Sequence, residues 1–281
     1  MYRIETFNLK RADAIEYRAS TGWLLKWDLG EYWIKAPGYI VGYSWDSVAE
    51  VIASCVAKDL NIENCLEYRL CIINLDNSIR LIGCISKNYK NREYREVTIQ
   101  KMIESGILSR KAYFGEYGYN LLIDEIKNLF DLNIRKYLED TILVDSITLN
   151  LDRNYWNISI FINKQGKGKI APIYDFGNSL GLNGGFRGEF IEECMYSTGV
   201  QARPFSYSFE EQLGYIRNNR VYSGRLIKTK EILEFISNNF TVNNNTYGVV
   251  HPIPIETFMY TYQVIQKRYN TVIEGKIWKN N

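Results

Sequence analysis

The chain has 281 residues, of which 46% are hydrophobic, 14% aromatic and 23% charged. This composition is typical of a globular protein and excludes disordered and fibrous classes. Lys and Arg number 34 against 32 Asp and Glu, so the formal charge of +2 gives no overall field that attracts nucleic acid or an anionic membrane. At roughly 150 residues per domain, the length predicts two compact units or one domain with two lobes.

Histidine and cysteine usage narrows the possible chemistry further. The single histidine, His251, excludes zinc sites built from several histidines, and any imidazole-activated nucleophile would have to use it. The five cysteines form no C-x-x-C pair, which favours free thiols in a reducing compartment. The first residues lack the apolar core of a signal peptide, and no run approaches the roughly 18 apolar residues of a membrane helix. We therefore expect a cytoplasmic protein without a membrane partner; secretion by a route that needs no signal peptide is also compatible with the sequence.

Strand patterns dominate the chain up to about residue 90, with one helix among them. Aromatic and β-branched runs on either side of a short polar turn predict a hairpin. An apolar stripe at helical spacing predicts the helix, with Asp46 as its N-cap. The predicted elements are strands at 23–27 and 32–35, a helix at about 45–60, and strands at 66–75 and 79–86.

Helical patterns dominate the rest of the chain, interrupted by a β-pair and by a Gly-rich irregular stretch from 175 to about 203. The predicted helices lie at 120–132, 134–149, 209–218, 230–238 and 255–273, and the β-pair at 158–163 and 169–174. The predicted fold class is therefore α+β. We expect a small β-rich N-lobe of residues 1–87, a larger helical C-lobe of residues 88–281, and a cleft between them.

The most informative stretch places Asp152 and Asn157 in D-x4-N spacing, followed after the β-pair by Asp175 in an Asp-Phe-Gly sequence at 175–177. Phosphoryl transfer from a nucleotide needs a carboxylate that orients the attacking hydroxyl and oxygen ligands that hold Mg²⁺ on the phosphates. A hairpin between the two segments would bring Asn157 and Asp175 together across the metal ion. The combined order and spacing indicate a nucleotide-dependent phosphotransferase. The alternative is that these residues only form turns.

Two segments resemble the catalytic core of the HipA-like kinases, a group that includes the CtkA-like forms and is distantly similar to the phosphatidylinositol kinases. They are residues 145–157, which read D-x4-N-x-D-R-x3-N, and residues 171–175, which read Ala-Pro-Ile-Tyr-Asp. The resemblance implies a bilobal protein-kinase-like fold with ATP in the cleft. It also implies that Asp152, in the loop 150–157, is the catalytic base and that Asn157 and Asp175 bind Mg²⁺. Many relatives have histidine where this chain has Asn154, whose amide can still hold the loop by hydrogen bonds.

The N-lobe carries a second part of the resemblance. Lys35, in Trp-Ile-Lys-Ala, matches the lysine that holds the α- and β-phosphates, and Glu50 stands where the family has its partner carboxylate. Small residues surround Glu50 on its side of the helix, which predicts a partly buried, paired carboxylate; an ordinary solvent-facing glutamate is the alternative. Gly22 and Lys26 match the family's Gly-x3-Lys phosphate loop, although a plain hairpin loop explains that segment equally well.

Five more residues belong to the expected nucleotide site. Ser20 and Thr21 lie in the same loop, and because a serine of this loop is autophosphorylated in HipA, the resemblance implies that one of them is an inhibitory phosphorylation site. The backbone of Ile85, Ser86 and Lys87 is expected to pair with adenine, because the end of a strand leaves unpaired donors and acceptors.

Three functions are compatible with these features. The first is an ATP- and Mg²⁺-dependent Ser/Thr kinase of the HipA-like type that acts on a protein substrate, with or without autophosphorylation. The second keeps the fold and phosphorylates a small molecule or lipid head group. The third is a nucleotide-binding pseudokinase, which Asn154 and the single-glycine loop favour. The resemblance also implies a toxin with an antitoxin-like partner, but 281 residues are few for HipA and favour the short CtkA-like forms.

Overall fold

The computed structural model describes residues 4–15, 25–38, 44–90, 93–109, 113–182, 201–217 and 225–274. The strands in these ranges are β1 Glu5–Leu9, β2 Lys26–Asp28, β3 Tyr32–Lys35, β4 Tyr68–Leu75, β5 Ile79–Lys87, β6 Tyr94–Thr98, β7 Ser159–Asn163 and β8 Gly168–Ile170. The α-helices are α1 Asp46–Asp59, α2 Ile99–Glu104, α3 Gly115–Phe130, α4 Arg135–Thr148, α5 Phe209–Leu213, α6 Ile227–Asn239 and α7 Ile255–Tyr269. A 3₁₀ turn at Arg11–Asp13 and a π turn at Asn270–Glu274 complete the described elements.

The N-lobe is built on a five-stranded sheet in the order β1-β4-β5-β3-β2. All its pairs are antiparallel except β1 with β4. Helix α1 packs against β4 and β5, and a separate apolar cluster forms on the sheet. The buried members of that cluster are Trp27, Ile34, Ala36, Cys71, Ile73, Leu75, Leu81 and Ile85. Because successive side chains of a strand point to opposite faces, both faces of the central strands are buried, which explains their nearly continuous apolar sequence.

Helix α1 is buried on almost all sides, since of its residues only Cys55 and Lys58 are not buried. It lies between the sheet and the C-lobe, where it packs on α4 and α6. The prediction that Asp46 caps α1 is wrong. Trp45 is the N-cap residue, without a side-chain cap bond, while Asp46 opens the first turn and accepts a hydrogen bond from the Gly38 amide at 3.2 Å.

Three elements were missing from the sequence prediction. Strand β1 lies at an edge of the large sheet, and strand β6 joins β7 and β8 in a second sheet of three strands. The short helix α2 follows β6 directly, capped by the Thr98 hydroxyl, which accepts from the Lys101 amide at 3.2 Å. These segments are short and half polar, so local periodicity does not mark them. Helix α5 is also shorter than the predicted 209–218, ending at Leu213.

One contiguous apolar core joins the two lobes, with members from α1, β4, α3, α4 and α7. Strand β5, which ends at Lys87, belongs to the five-stranded sheet, and β6 belongs to the three-stranded sheet. The division of the chain into two lobes between residues 87 and 88 stays a prediction. The cysteines within the described ranges, Cys55, Cys65, Cys71 and Cys84, are free thiols. Among the described helices, none combines the length and the apolar character that a membrane crossing requires.

Candidate active site

A buried charge cluster lies where the lobes meet. Lys35 at the end of β3 forms an ion pair with Glu50 of α1, and its Nζ lies 3.4 Å from Asp175 Oδ1. The Tyr68 hydroxyl lies 3.4 Å from the same Nζ. The Glu50 side chain is only 3% exposed. The prediction that Glu50 is paired is therefore confirmed, and its burial is more complete than the partial burial predicted. The side chains of Lys35 and Asp175 meet although 140 residues separate them.

Glu50 also binds the Asp-Phe-Gly segment directly. While one carboxylate oxygen pairs with Lys35, the other accepts a hydrogen bond from the Phe176 amide at 2.8 Å. The Phe176 side chain is fully buried. At Gly177, an added Cβ would lie 3.2 Å from the Cβ of Asp46, so this segment packs closely against α1. Glu50 thus connects a strand of the N-lobe to the backbone next to Asp175.

The charges of the cluster stabilise one another. Burial opposes a charge on Lys35, but Glu50, Tyr68 and Asp175 outweigh it and hold the lysine pKa well above its usual value. Burial likewise opposes ionisation of Asp175, yet Lys35 and Lys26 lower the pKa of its carboxyl. The lysine and the aspartate are therefore both charged at neutral pH.

A second lysine faces the same cluster from the neighbouring strand. Lys26 of β2 lies directly opposite Lys35 in the antiparallel register. Burial and, next, the charge of Lys35 lower the pKa of Lys26. Like charges directly opposite on paired strands destabilise a sheet. A polyanion bound in the cleft would offset the repulsion between these two cations.

Residues 171–174 leave the hairpin and cross to the N-lobe. The predicted strand 169–174 ends at Ile170, and Ile173 instead forms a parallel bridge with Cys65. Its carbonyl accepts from the Leu66 amide at 2.8 Å, and its amide donates to the Asn64 carbonyl at 2.9 Å. This crossing delivers Asp175 to the cluster. Asp175 itself has φ +65°, a left-handed conformation that aspartate tolerates and that is enriched at functional sites.

The loop that carries Asp152 begins at a sharp turn. Helix α4 ends with Leu149 in the left-handed region, and the Asn150 amide donates back to the Asp145 carbonyl at 3.0 Å. The Asn150 side-chain oxygen then accepts from the Asp152 amide at 3.2 Å. Asn154 Nδ2 donates to Asp152 Oδ1 at 2.9 Å, which confirms that an amide at this position holds the loop.

Arg153 organises this loop from within, a role that the sequence analysis missed. Its side chain is 1% exposed and makes a two-pronged ion pair with Asp145, with Nε to Oδ2 at 2.7 Å and Nη2 to Oδ1 at 3.1 Å. Its Nη1 donates to the carbonyls of Asn157 at 3.1 Å and Tyr174 at 2.5 Å. The guanidinium also lies over the Phe176 ring. Only an arginine offers this many donors in a planar fork, so one buried side chain holds the loop against the segment 174–176.

Asn157 and Asp175 have the chemistry of a hard-cation site. Asn157 Nδ2 donates to the Asp152 carbonyl at 2.7 Å, which leaves its amide oxygen for another partner. The Asp175 side chain is one-third exposed toward the cleft. Among the described residues, no group of three or more His, Cys, Asp or Glu could enclose a metal ion. An amide oxygen and a carboxylate are donors of the kind that Mg²⁺ prefers, so Asn157 and Asp175 would fit such an ion.

Asp152 is half-buried beside this pair. Its burial, and after it the charge of Asp175, raise the pKa of its carboxyl, partly offset by the hydrogen bond from Asn154. A carboxyl that interacts with a second carboxyl in a cleft is an arrangement common in functional sites.

Other predicted site residues have different outcomes. Ser20, Thr21 and Gly22 lie outside the described residues. The expectation of free backbone groups at the end of β5 is wrong for Ile85 and Ser86, because both residues are paired with β3 on one side and β4 on the other. Within the described strands, Lys87 has Tyr32 of β3 as its one ladder partner. That these three residues contact adenine stays a prediction.

Comparison with solved structures adds one clear likeness. The proinflammatory kinase CtkA of Helicobacter pylori superposes with a TM-score of 0.64 at 14% identity, over 97% of this chain and 96% of that one. The chain has a protein-kinase-like fold. The predicted α+β bilobal architecture is thereby confirmed; at this identity, membership of the HipA-like family stays a prediction.

Two further structures are more distant. Hydra Fam20 superposes with a TM-score of 0.43 at 11% identity, over 92% of this chain and 82% of that one. The Golgi casein kinase has a TM-score of 0.41 at 9% identity, over 99% and 74%. These scores are too low to support an argument about this chain. No family model matches the sequence, and no curated protein matches it.

Proposed function

We propose that this protein is an ATP- and Mg²⁺-dependent kinase that transfers the γ-phosphate to a Ser or Thr hydroxyl of a protein. The observation that carries the proposal is the junction at Glu50, which contacts both Lys35 and the Phe176 amide next to Asp175. Phosphoryl transfer in kinases requires this lysine–glutamate pair and the neighbouring metal-binding aspartate together. A buried ion pair usually contributes little net stability, so phosphoryl transfer explains the Lys35–Glu50 pair better than stabilisation of the fold does.

Each part of the cleft has a task in the transfer. The ammonium groups of Lys35 and Lys26 would hold the phosphates from the N-lobe side. Asn157 and Asp175 would hold Mg²⁺, which when bound neutralises charge on the β- and γ-phosphates. Asp152 orients the acceptor hydroxyl and receives its proton. The hydroxyl oxygen forms a bond to the γ-phosphorus as the bond between that phosphorus and the bridging oxygen breaks, and ADP leaves with the electron pair.

The test is the substitution Asp152→Asn, read by radiolabelled ATP and by nucleotide binding. We expect transfer to fall by a factor of about 10² to 10⁴, because a positioned base contributes about that much. Nucleotide affinity should stay within about twofold of the wild type, since Asp152 does not hold the phosphates. Asp124→Asn, an exposed carboxylate on α3, is the matched control and should change neither.

The acceptor is identified in the same assay. The wild-type protein is incubated with labelled ATP alone and then with cell lysate. Labelled protein bands support the proposal, and a labelled band of the protein itself supports autophosphorylation. A labelled small product instead would indicate a small-molecule or lipid-type kinase. Nucleotide-dependent thermal stabilisation without any transfer would indicate a pseudokinase and overturn the proposal. An antitoxin-like partner and a cytoplasmic location, both expected from the sequence, stay predictions.

A further inference from the structure

The last residue of α1 caps a helix of the other lobe. The Asp59 carboxylate accepts hydrogen bonds from the amides of Lys228 at 2.8 Å and Thr229 at 2.9 Å and from the Thr229 hydroxyl at 2.7 Å. These amides belong to the first turn of α6, whose own N-cap residue, Leu226, has no side-chain cap bond. A carboxylate at a helix N-terminus satisfies unpaired amides and interacts favourably with the helix dipole. Asp59 is 8% exposed, so water competes little for these bonds.

The opposite end of α1 is tied to the C-lobe as well. The Trp45 amide donates to the Leu182 carbonyl at 2.8 Å. The Trp45 indole nitrogen donates to the His251 carbonyl at 3.2 Å. Leu182 lies a few residues after Asp-Phe-Gly, and His251 precedes α7. Both ends of α1 are therefore bound to C-lobe backbone, while its middle contacts the sheet.

The sheet contact keeps α1 with the N-lobe at the same time. The Ser54 hydroxyl accepts from the Tyr68 amide at 3.3 Å, and Glu50 pairs with Lys35. A helix that is joined to both lobes sets the distance between them. Since Glu50 and Asp59 lie on one continuous α-helix, a displacement of the Asp59 end moves Glu50 with it.

We propose that Asp59 is a positioning residue: by capping α6 it holds Glu50 between Lys35 and the Phe176 amide, in the arrangement that transfer needs, with no second protein required. The inference rests on the proposed function, because it names how the site of that function is kept assembled. In kinases, the position of this helix is the point at which activity is controlled. Here the contact that holds α1 in position, between Asp59 and the amides of α6, lies within one chain.

The test compares Asp59→Ala and Asp59→Asn with Thr98→Ala in the full-length protein. Thr98→Ala removes the cap of α2, a C-lobe helix away from α1, so it is a matched loss of one helix cap. The first measurement, hydrogen exchange of the amides in residues 46–59, needs no kinase activity. We expect Asp59→Ala to raise these exchange rates at least about tenfold and Thr98→Ala to leave them within about twofold. Asp59→Asn, which keeps an acceptor oxygen, should fall between them.

The second measurement is turnover at saturating ATP. We expect Asp59→Ala, which removes all three hydrogen bonds that Asp59 accepts, to lower kcat about tenfold, with a smaller change in KM for ATP. In a Glu50→Gln background the same substitution should lower the residual rate less than about twofold, because Glu50 no longer transmits the displacement. Asp59→Asn should recover most of the rate.

Two results would overturn the positioning role. One is unchanged exchange of α1 in Asp59→Ala, whatever the enzyme does. The other is a loss of kcat that is equally large in the Glu50→Gln background, since that is the behaviour of an independent structural defect. A wild-type protein that transfers no phosphate, but whose α1 exchange rises in Asp59→Ala, would refute the proposed function while supporting the contact between the lobes.

Discussion

Buried charges in the cleft are arranged so that each one depends on a specific neighbour. Glu50 is almost fully buried, yet it has a cation on one oxygen and a backbone amide on the other. Removing a single partner from such a pair leaves an uncompensated charge in a low-dielectric environment. We therefore expect a single substitution in the cluster to destabilise the protein more than a double substitution that replaces both partners of a pair.

Lys35→Met tests this expectation through stability. We expect the free energy of unfolding to fall by about 3 kcal/mol or more, because Glu50 is left buried without its cation. The double variant Lys35→Met/Glu50→Gln should recover most of the loss, since the glutamine oxygen still accepts from Phe176. Urea unfolding measures both. Lys58→Met, which breaks an exposed pair with Glu67, is the control and should cost less than about 1 kcal/mol. A double variant no more stable than the single one would contradict the expectation.

Asp46 predicts a pH dependence of stability. Burial, and to a smaller extent the charge of Glu50, raise the pKa of its carboxyl from the usual 3.8 to about 6, partly offset by bonds from backbone amides. The folded state therefore holds this proton more tightly than the unfolded chain does. The contribution of Asp46 to the free energy of unfolding therefore falls as pH rises from about 4 through about 6, and it is lost by about pH 7.

The variant Asp46→Asn removes this titration. Between pH 5 and pH 7 the wild type should lose about 1.4 kcal/mol relative to the variant, the value of one pKa unit. Urea unfolding at the two pH values measures the difference. Asp124→Asn, at an exposed position, should follow the wild type. Parallel pH profiles for the wild type and Asp46→Asn would show that Asp46 does not titrate in this range.

The start of helix α3 supports the loop that carries Asp152. Tyr155, in that loop, donates its hydroxyl to the Tyr113 carbonyl at 2.5 Å, and the two rings meet edge to face. Gly118 lets α3 approach this backbone, because an added Cβ would lie 2.3 Å from the Tyr113 carbonyl carbon. At this position helix propensity therefore favours alanine, whereas tertiary packing favours glycine.

The substitution Gly118→Ala tests which of these two effects is larger. In an isolated helix this change stabilises by about 1 kcal/mol. Here we expect it to destabilise by about 1 to 3 kcal/mol, because the new methyl group has to displace backbone rather than a flexible side chain. Thermal unfolding measures the effect. Tyr117→Ala, at an exposed position of the same helix, should stay within about 0.5 kcal/mol. A gain in stability from Gly118→Ala would show that packing does not decide at this position.

The two lobes share one apolar core, and the charged groups of the cleft come from both of them. A ligand that binds only the folded protein stabilises it by an amount that grows with the logarithm of the ligand concentration divided by its Kd. The proposed metal ligands then predict that part of this stabilisation depends on a divalent cation.

Asp175→Asn tests that dependence without any turnover. At about 100 times its Kd, a non-hydrolysable ATP analogue with Mg²⁺ should stabilise the wild type by about 2.7 kcal/mol, or about 5 to 10 °C in Tm. Omitting Mg²⁺ should remove most of this shift. In Asp175→Asn the shift should be small with or without the metal, whereas Asp124→Asn should behave as the wild type. An undiminished, Mg²⁺-dependent shift in Asp175→Asn would place the cation elsewhere.

Sequence periodicity and spacing predicted much of the fold. The apolar stripe of α1 and the dense apolar runs of β4 and β5 were recognised because the residues that define them are neighbours in the chain. The spacing of Asp152, Asn157 and Asp175 similarly indicated a phosphotransferase site. Strands β1 and β6 were missed, since each is defined by the strand it pairs with rather than by its own residues.

The chemical groups of the proposed site and their order along the chain can be read from the sequence alone. How these groups are held depends on the folded structure, which buries Arg153 between the loop and Tyr174, places Lys26 opposite Lys35, and sets Asp59 on the amides of α6. These contacts join residues far apart in sequence, and no local pattern distinguishes a buried arginine or a capping aspartate from a solvated one. Their roles follow from desolvation and from the donors that packing brings within reach, which exist only once the lobes are folded together.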